Sequence, residues 1–166
     1  PNTLPEDIYE KILASLESKG IRVVVDATKD LLLNVLKYHP FLIKPNNHEL
    51  GEMFGTVCKT DEDIVHYAKK LQEKGAVNVL ISMAGDGAIL ITEDGQNIKM
   101  GTPKGKVVNS VGAGDSMVAG FITGYIRGGN YEEALKSGTA AGSATAFSEG
   151  LASLEMYEKM LKQITE

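Results

Sequence analysis

At 166 residues and 43% hydrophobic content, with both charge signs well represented, the chain is long enough for one domain with a real core and is not a disordered segment. A formal charge of −5 without any dense Lys/Arg stripe argues against nucleic acid or an anionic membrane as the partner, and a lone cysteine, Cys58, excludes an internal disulfide. No apolar run approaches the ~20 residues a membrane helix needs and the start carries no signal-peptide pattern, so the expected compartment is the cytosol.

Thr3-Leu4-Pro5-Glu6 reads as a capping box for a first helix, with Ile8, Ile12, Leu13 and Leu16 as its core face and Gly20 as its stop. Ile21 to Asp26 follows as a buried parallel strand, because Val23-Val24-Val25 is unbroken, and Thr28 caps a short helix through Leu36. Asp26, at that strand's carboxyl end, either faces the ligand crevice of an open α/β sheet or caps the next helix. A second buried strand, Phe41 to Lys44, runs into Pro45-Asn46-Asn47-His48-Glu49-Leu50. Asn46 and Glu49 lie three apart across this strand-to-helix turn, so they serve as turn and cap or point together into one crevice. Lys44 is either a phosphate contact or a solvated strand end.

Thr60 and the acidic turn Asp61-Glu62-Asp63 open a helix through Lys74, with Ile64, Tyr67, Ala68 and Leu71 inward and Gly75 as its stop. Val77 to Ser82 is a third buried strand. Ser82-Met83-Ala84-Gly85-Asp86-Gly87 turns the chain back into Ala88 to Thr92, and Asp94-Gly95 signals a hairpin before Gln96 to Met100. Gly101-Thr102-Pro103-Lys104-Gly105-Lys106 looks like a Walker loop but is one residue short and continues with Val107 where Ser or Thr is needed. His39, His48, His66 and Cys58 show no metal-ligand spacing. This alternation of strands and helices predicts an α/β fold with a mostly parallel sheet covered on both faces.

The chemistry concentrates in Val111-Gly112-Ala113-Gly114-Asp115-Ser116-Met117-Val118-Ala119-Gly120, where an extended lead breaks at small residues and restarts as a helix. Met117, Phe121 and Tyr125, with Val118, Ile122 and Ile126 beside them, recur four apart as one buried helical face requires. Gly112, Ala113 and Gly114 carry almost no bulk, so an anion can approach backbone N–H groups that have no intrahelical partner and sit at the positive end of the dipole. Asp115 among those donors is placed to accept a proton from a substrate hydroxyl, which points to phosphoryl transfer; the plainer alternative is a tight turn with a first-turn acid. A dinucleotide fingerprint, and with it a dinucleotide oxidoreductase, is disfavoured because its third glycine would have to stand at Met117. Beyond the motif, Ser116, Gly120, Gly124 and Gly128 line one helix face, and Ala134, Gly138, Ala141 and Thr145 line the next helix. Close packing through these stripes is expected. A last helix spans Leu154 to Ile164.

The run Val111 to Gly120 closely resembles the C-terminal signature of the PfkB (ribokinase-like) carbohydrate kinases, and Asp115-Ser116-Met117 resembles the branch that phosphorylates sugar phosphates. The resemblance implies a three-layer ribokinase-like fold, Asp115 as catalytic base and Gly112, Ala113 and Gly114 as the anion hole. Lys44-Pro45-Asn46-Asn47-His48-Glu49 is similar to the family's Asn-x-x-Glu motif, which implies that Asn46 and Glu49 help place Mg²⁺ through water, with Lys44 and Asn46 near the ATP phosphates. Ser82 and Gly87 match the family's Ser/Thr-x-Gly-x-x-Gly segment that contacts those phosphates, with Gly85 between them as a further ATP-binding candidate, although Ala84 stands where the middle glycine is usual. A negative φ there would leave the ribbon accessible. Ala141, Gly142 and Ser143 lie where the family borders the adenine. Asn109-Ser110 stands where ribokinase-type members have Asp-Thr, which argues against that branch. The implied activity is ATP-dependent phosphorylation of a phosphohexose hydroxyl, on fructose 1-phosphate or alternatively tagatose 6-phosphate. The chain begins at Pro1, and the resemblance covers it as a C-terminal half whose N-terminal sugar-binding half and lid are missing. As it stands it is therefore expected to bind nucleotide with little turnover, while the full-length enzyme is a possible homodimer.

Overall fold

The strands that carry the candidate loops follow one another across a five-stranded sheet in the order β1-β2-β3-β4-β5: β1 (Val24–Val25), β2 (Leu42–Ile43), β3 (Asn78–Ser82), β4 (Ala88–Ile91) and β5 (Asn97–Met100). The computed structural model describes residues 5, 7–27 and 29–165; Thr3, Leu4 and Glu6 of the expected capping box, and Thr28 as the expected cap, lie outside the described residues. Helices α1 (Ile8–Leu16), α2 (Lys29–Val35), α3 (Asn47–Met53), α4 (Asp61–Glu73), α5 (Ala113–Gly128), α6 (Tyr131–Ala146) and α7 (Leu154–Thr165) complete an α/β fold. The chain divides into two compact units, Pro1–Ile81 with Leu90–Asn97 and Ser82–Ile89 with Ile98–Glu166.

In the first unit β1 and β2 are parallel with Val24 beside Leu42 and Val25 beside Ile43, and β2 pairs in parallel with β3 through Leu42 and Asn78. The strands are shorter than expected, but their amino ends continue as single hydrogen bonds: Phe41 N–H to Val23 O at 2.8 Å and Val77 N–H to Pro40 O at 3.0 Å. Leu42, Ile43, Val79, Leu80 and Ile81 are fully buried, as the unbroken apolar runs require. Buried Asn78 ties the unit together, donating from Nδ2 to Phe41 O and accepting from Glu93 N–H, both at 2.9 Å. Helix α4 is capped by a reciprocal box between Thr60 and Asp63 and buries Ile64, Ala68 and Leu71; Tyr67 is half-buried against the Phe54 ring. The expected core face of α1 is corrected: Leu13 is buried, but Ile12 is half exposed, because this short helix meets α2 along a narrow stripe. Its helical hydrogen bonding also stops at Leu16, with turns running on to Gly20 in the left-handed region.

The second unit is built on α5, α6 and α7. The glycine stripe packs as expected: a Cβ added to Gly120 would lie 2.6 Å from Ser137 O and 2.7 Å from Ala141 Cβ, and one on Gly124 2.6 Å from Glu133 O. The two backbones touch almost directly. On its other side α6 buries Ala140 and Ala144 with Met160 of α7, and the Ser137 hydroxyl meets the Tyr157 hydroxyl at 3.0 Å. The apolar face expected of α5 is only partly right. Met117 and Phe121 are buried, Val118, Ile122 and Tyr125 are half-buried, and Ile126 is 77% exposed, because Gly120 and Gly124 take the central contact line.

Candidate active site

In the first unit the site residues gather where β2 ends. Lys44 is not the solvated strand end considered above: its side chain is 9% exposed and its Nζ lies 3.5 Å from Asp26 Oδ2. The parallel register that sets Val25 beside Ile43 sets the next pair, Asp26 and Lys44, side by side. A buried ammonium needs such a partner. Two residues on, Asn46 caps α3: its Oδ1 accepts from Glu49 N–H and Glu49 Oε2 accepts from Asn46 N–H, each at 2.8 Å. The box explains the residue types at this spacing by local structure alone. It also holds the carboxylate of Glu49 rigidly at the carboxyl end of a parallel strand, where open α/β sheets present ligand groups.

In the second unit Gly112 precedes α5 with φ +79°, a left-handed conformation that favours glycine, and no side chain caps the helix. Ala113 N–H reaches Ser110 O at 3.2 Å and Ser116 N–H reaches Gly112 O at 2.9 Å, whereas the amides of Gly114 and Asp115 take no backbone acceptor among the described residues. Two donors at the positive end of a 16-residue helix are thus available to an anion. Asp115 is exposed beside them. Asn109 braces the approach: its Oδ1 accepts from Val111 N–H at 3.0 Å and its Nδ2 donates to Glu149 O at 3.1 Å. Beneath the turn lies Gly142, where a Cβ would stand 3.1 Å from Ala113 O and 3.2 Å from Met117 Cβ. Gly142 and Ser143 are buried, so the role the geometry displays for Gly142 is support of α5. Thr145, 1% exposed, donates to Ser116 Oγ at 2.8 Å.

The turn carrying Ser82, Gly85 and Gly87 is a separate feature of the second unit. Met83 N–H bonds Gly87 O at 2.8 Å, and Thr102 Oγ1–H bonds Gly85 O at 2.8 Å. Gly87, at φ +92°, would place a Cβ 2.0 Å from Met100 O. The condition that would leave the ribbon accessible at Ala84, a negative φ, is not met: φ is +49°, the left-handed region that its methyl group disfavours. The tight turn demands a glycine-like backbone, and alanine supplies it at a cost.

Among the described residues no cluster of three or more His, Cys, Asp or Glu forms a metal cage, and no helix is long and apolar enough to cross a membrane. Cys58 is buried, and burial first, then the nearby Asp63 carboxylate, pushes its thiol pKa up. Two cavities in the first unit, of about 340 and 490 Å³, share His39, Val77 and Glu93 and open at the amino ends of β2 and β3, the ends remote from Lys44 and Asn46. Asp26 and Thr145 were the residues whose site contacts the sequence did not disclose. Parallel register pairs Asp26 with Lys44, and only the crossing of α5 over α6 brings Thr145 to Ser116.

The family model "pfkB family carbohydrate kinase" matches residues 1–156. The chain is 49% identical over 164 residues to a 1-phosphofructokinase of Bacillus subtilis, covering 99% of this chain and 54% of that protein. It is 38% identical over 165 residues to a D-tagatose-1-phosphate kinase of Bacillus licheniformis, covering 99% and 54%. A crystal structure from Staphylococcus aureus, provisionally named a phosphofructokinase, superimposes with a TM-score of 0.93 at 45% identity over 98% of this chain and 53% of that one. The chain spans about half the length of the curated relatives it matches. With the family model covering nearly its whole length, this chain belongs to the pfkB family of carbohydrate kinases.

Proposed function

We propose that the whole protein transfers the γ-phosphoryl group of ATP to a hydroxyl of a phosphosugar, with fructose 1-phosphate as the acceptor and fructose 1,6-bisphosphate as the product. The observation that carries this reading is the Gly112-to-Asp115 turn, with open amides and an exposed carboxylate at the start of α5, inside a family match of residues 1–156. Asp115 takes the proton as the acceptor oxygen bonds to phosphorus, and the bond from phosphorus to the ADP oxygen breaks. Within the Gly112-Ala113-Gly114 turn the open amides of Gly114 and Asp115 hold the charge spread over the transferring group, Ala113 N–H being engaged by Ser110 O. Lys44, Asn46, Ser82, Gly85, Gly87, Gly142 and Ser143 are proposed as the nucleotide-contacting set.

The donor set at Asn46 and Glu49 fits Mg²⁺ held through water. The capping box already engages Asn46 Oδ1 and Glu49 Oε2, leaving one carboxylate and no cage among the described residues, and Mg²⁺ keeps much of its hydration when bound by so few protein groups. When bound with ATP, it supplies charge neutralisation at the phosphates. The D-tagatose-1-phosphate kinase relative favours tagatose 1-phosphate over tagatose 6-phosphate as the alternative acceptor.

In the full-length protein, Asp115→Asn should bind MgATP nearly as well as wild type while kcat falls by about 10²-fold or more. A loss below about threefold would leave Asp115 a helix-start acid and sink the base assignment. Substrate profiling with fructose 1-phosphate and both tagatose phosphates decides the acceptor. Calorimetric titration of the 166-residue chain with MgATP, with Glu49→Gln as comparison, asks whether this part alone holds a formed nucleotide site.

A further inference from the structure

We propose that Thr145 is a positioning residue for the phosphoryl-transfer turn, a role that rests on the function proposed above. A serine or threonine hydroxyl on a helix can bond back to the carbonyl four residues earlier. Exposed Thr123 on α5 does so with Ala119 O, and half-buried Ser148, just past the end of α6, with Ala144 O, each at 2.8 Å. Thr145 does not. Its hydroxyl leaves α6 and donates to Ser116 Oγ in the first turn of α5, at 2.8 Å, while accepting from Ala152 N–H at 3.4 Å. Its methyl Cγ2 stands 4.0 Å from where a Cβ of Gly112 would be.

One fully buried side chain therefore bonds Ser116 at one end of the turn that carries Ala113, Gly114 and Asp115, and faces the position a Cβ of Gly112 would take at the other end. Ser116 N–H closes the same turn onto Gly112 O. The α5–α6 seam cannot adjust to compensate for a lost anchor, because its glycines already bring the two backbones into contact. A hydroxyl at this point sets the rotation of the first turn, and with it the direction of the Gly114 and Asp115 amides and of the Asp115 carboxylate. Small errors in such directions cost rate more than they cost ground-state binding.

The test is Thr145→Val, which keeps the shape and removes the hydroxyl, beside Thr145→Ser, which keeps the hydroxyl and removes the methyl, in the full-length protein. Thr145→Val should lower kcat by about tenfold or more while KM for MgATP moves by less than about threefold, and Thr145→Ser should recover most of the loss. Ser116→Ala removes the other end of the same bond. It should reproduce the kcat loss, and the double variant should be no worse than the weaker single, as expected of two groups acting through one contact. Ser116→Ala also keeps the question open should Thr145→Val fail to fold. A melting temperature lowered by Thr145→Val with kcat unchanged, or additive losses in the double variant, would overturn the proposal. Asp115→Asn measured alongside separates the two ideas: if it collapses kcat while Thr145→Val and Ser116→Ala do not, the positioning role fails alone, and if it leaves kcat intact the reading beneath it fails too.

Discussion

Replacing Gly120 by alanine sets two effects of known sign against each other. On helix propensity alone the change stabilises by about 1 kcal/mol, since alanine is the best helix former and glycine among the worst. Against this, the new Cβ would sit 2.6 Å from Ser137 O, 2.7 Å from Ala141 Cβ and 3.1 Å from Gly138 Cα, all on the facing helix and mostly backbone. Ordinary contact requires about 0.8 Å more at the closest of these, and a radial gap of that size forfeits roughly a quarter to a half of each dispersion contact along the seam. Overpacking a rigid interior costs about 1–3 kcal/mol, and here neither backbone can step aside, so the upper part of that range applies and the net loss is about 1–2 kcal/mol. Urea denaturation of the wild-type and variant full-length proteins measures it, with the slope checked for constancy. Gly142→Ala is the internal comparison: its Cβ would meet Ala113 O at 3.1 Å and Met117 Cβ at 3.2 Å, so the same substitution there should cost distinctly less. If Gly120→Ala raised stability as propensity alone demands, or if Gly142→Ala cost as much, the argument from clearance would be refuted.

Ala84→Gly should raise the denaturation midpoint, with a net gain of up to about 1 kcal/mol, because φ +49° strains an alanine more than glycine's extra unfolded-state freedom costs; a lowered midpoint would contradict this. Thr139→Val should be neutral or stabilising by about 1 kcal/mol, since Thr139 Oγ1 is buried without a hydrogen-bond partner among the described residues, and a clear loss of thermal stability would reveal a partner. Asp63 is held below the usual carboxylate range chiefly by the N–H groups of Lys59 and Thr60. Its contribution is therefore present above its unfolded pKa and lost as pH falls through the lower folded value, so Asp63→Asn should flatten the acid limb of stability against pH. An unchanged acid limb would show that the cap carries no linkage.

Where the local code was strong, residues far apart in the fold were readable one by one. The Thr60–Asp63 and Asn46–Glu49 boxes, the Asp94-Gly95 hairpin and the start of α5 at Gly112 each depend on a few neighbouring residues whose side-chain reach or backbone freedom determines the outcome. The buried strands β2 and β3 were equally legible, because an unbroken apolar run has no other stable place. The small-residue stripes announced that α5 and α6 approach closely, since the absence of side chains leaves little else to hold two helices apart.

What the sequence by itself determined was therefore the order of elements and the identity of the turn that carries Asp115. Only the tertiary structure decided how these parts meet. It exposed Ile12 and Ile126, because burial is settled by which helix face finds a partner, and a periodic pattern offers more apolar positions than one partner covers. It set Asp26 against Lys44 through strand register and Thr145 against Ser116 through a helix crossing, both contacts between residues with no shared local signal. It also held Ala84 in a left-handed conformation that its own side chain resists, because the hydrogen bonds closing Met83 to Gly87 outweigh one residue's preference.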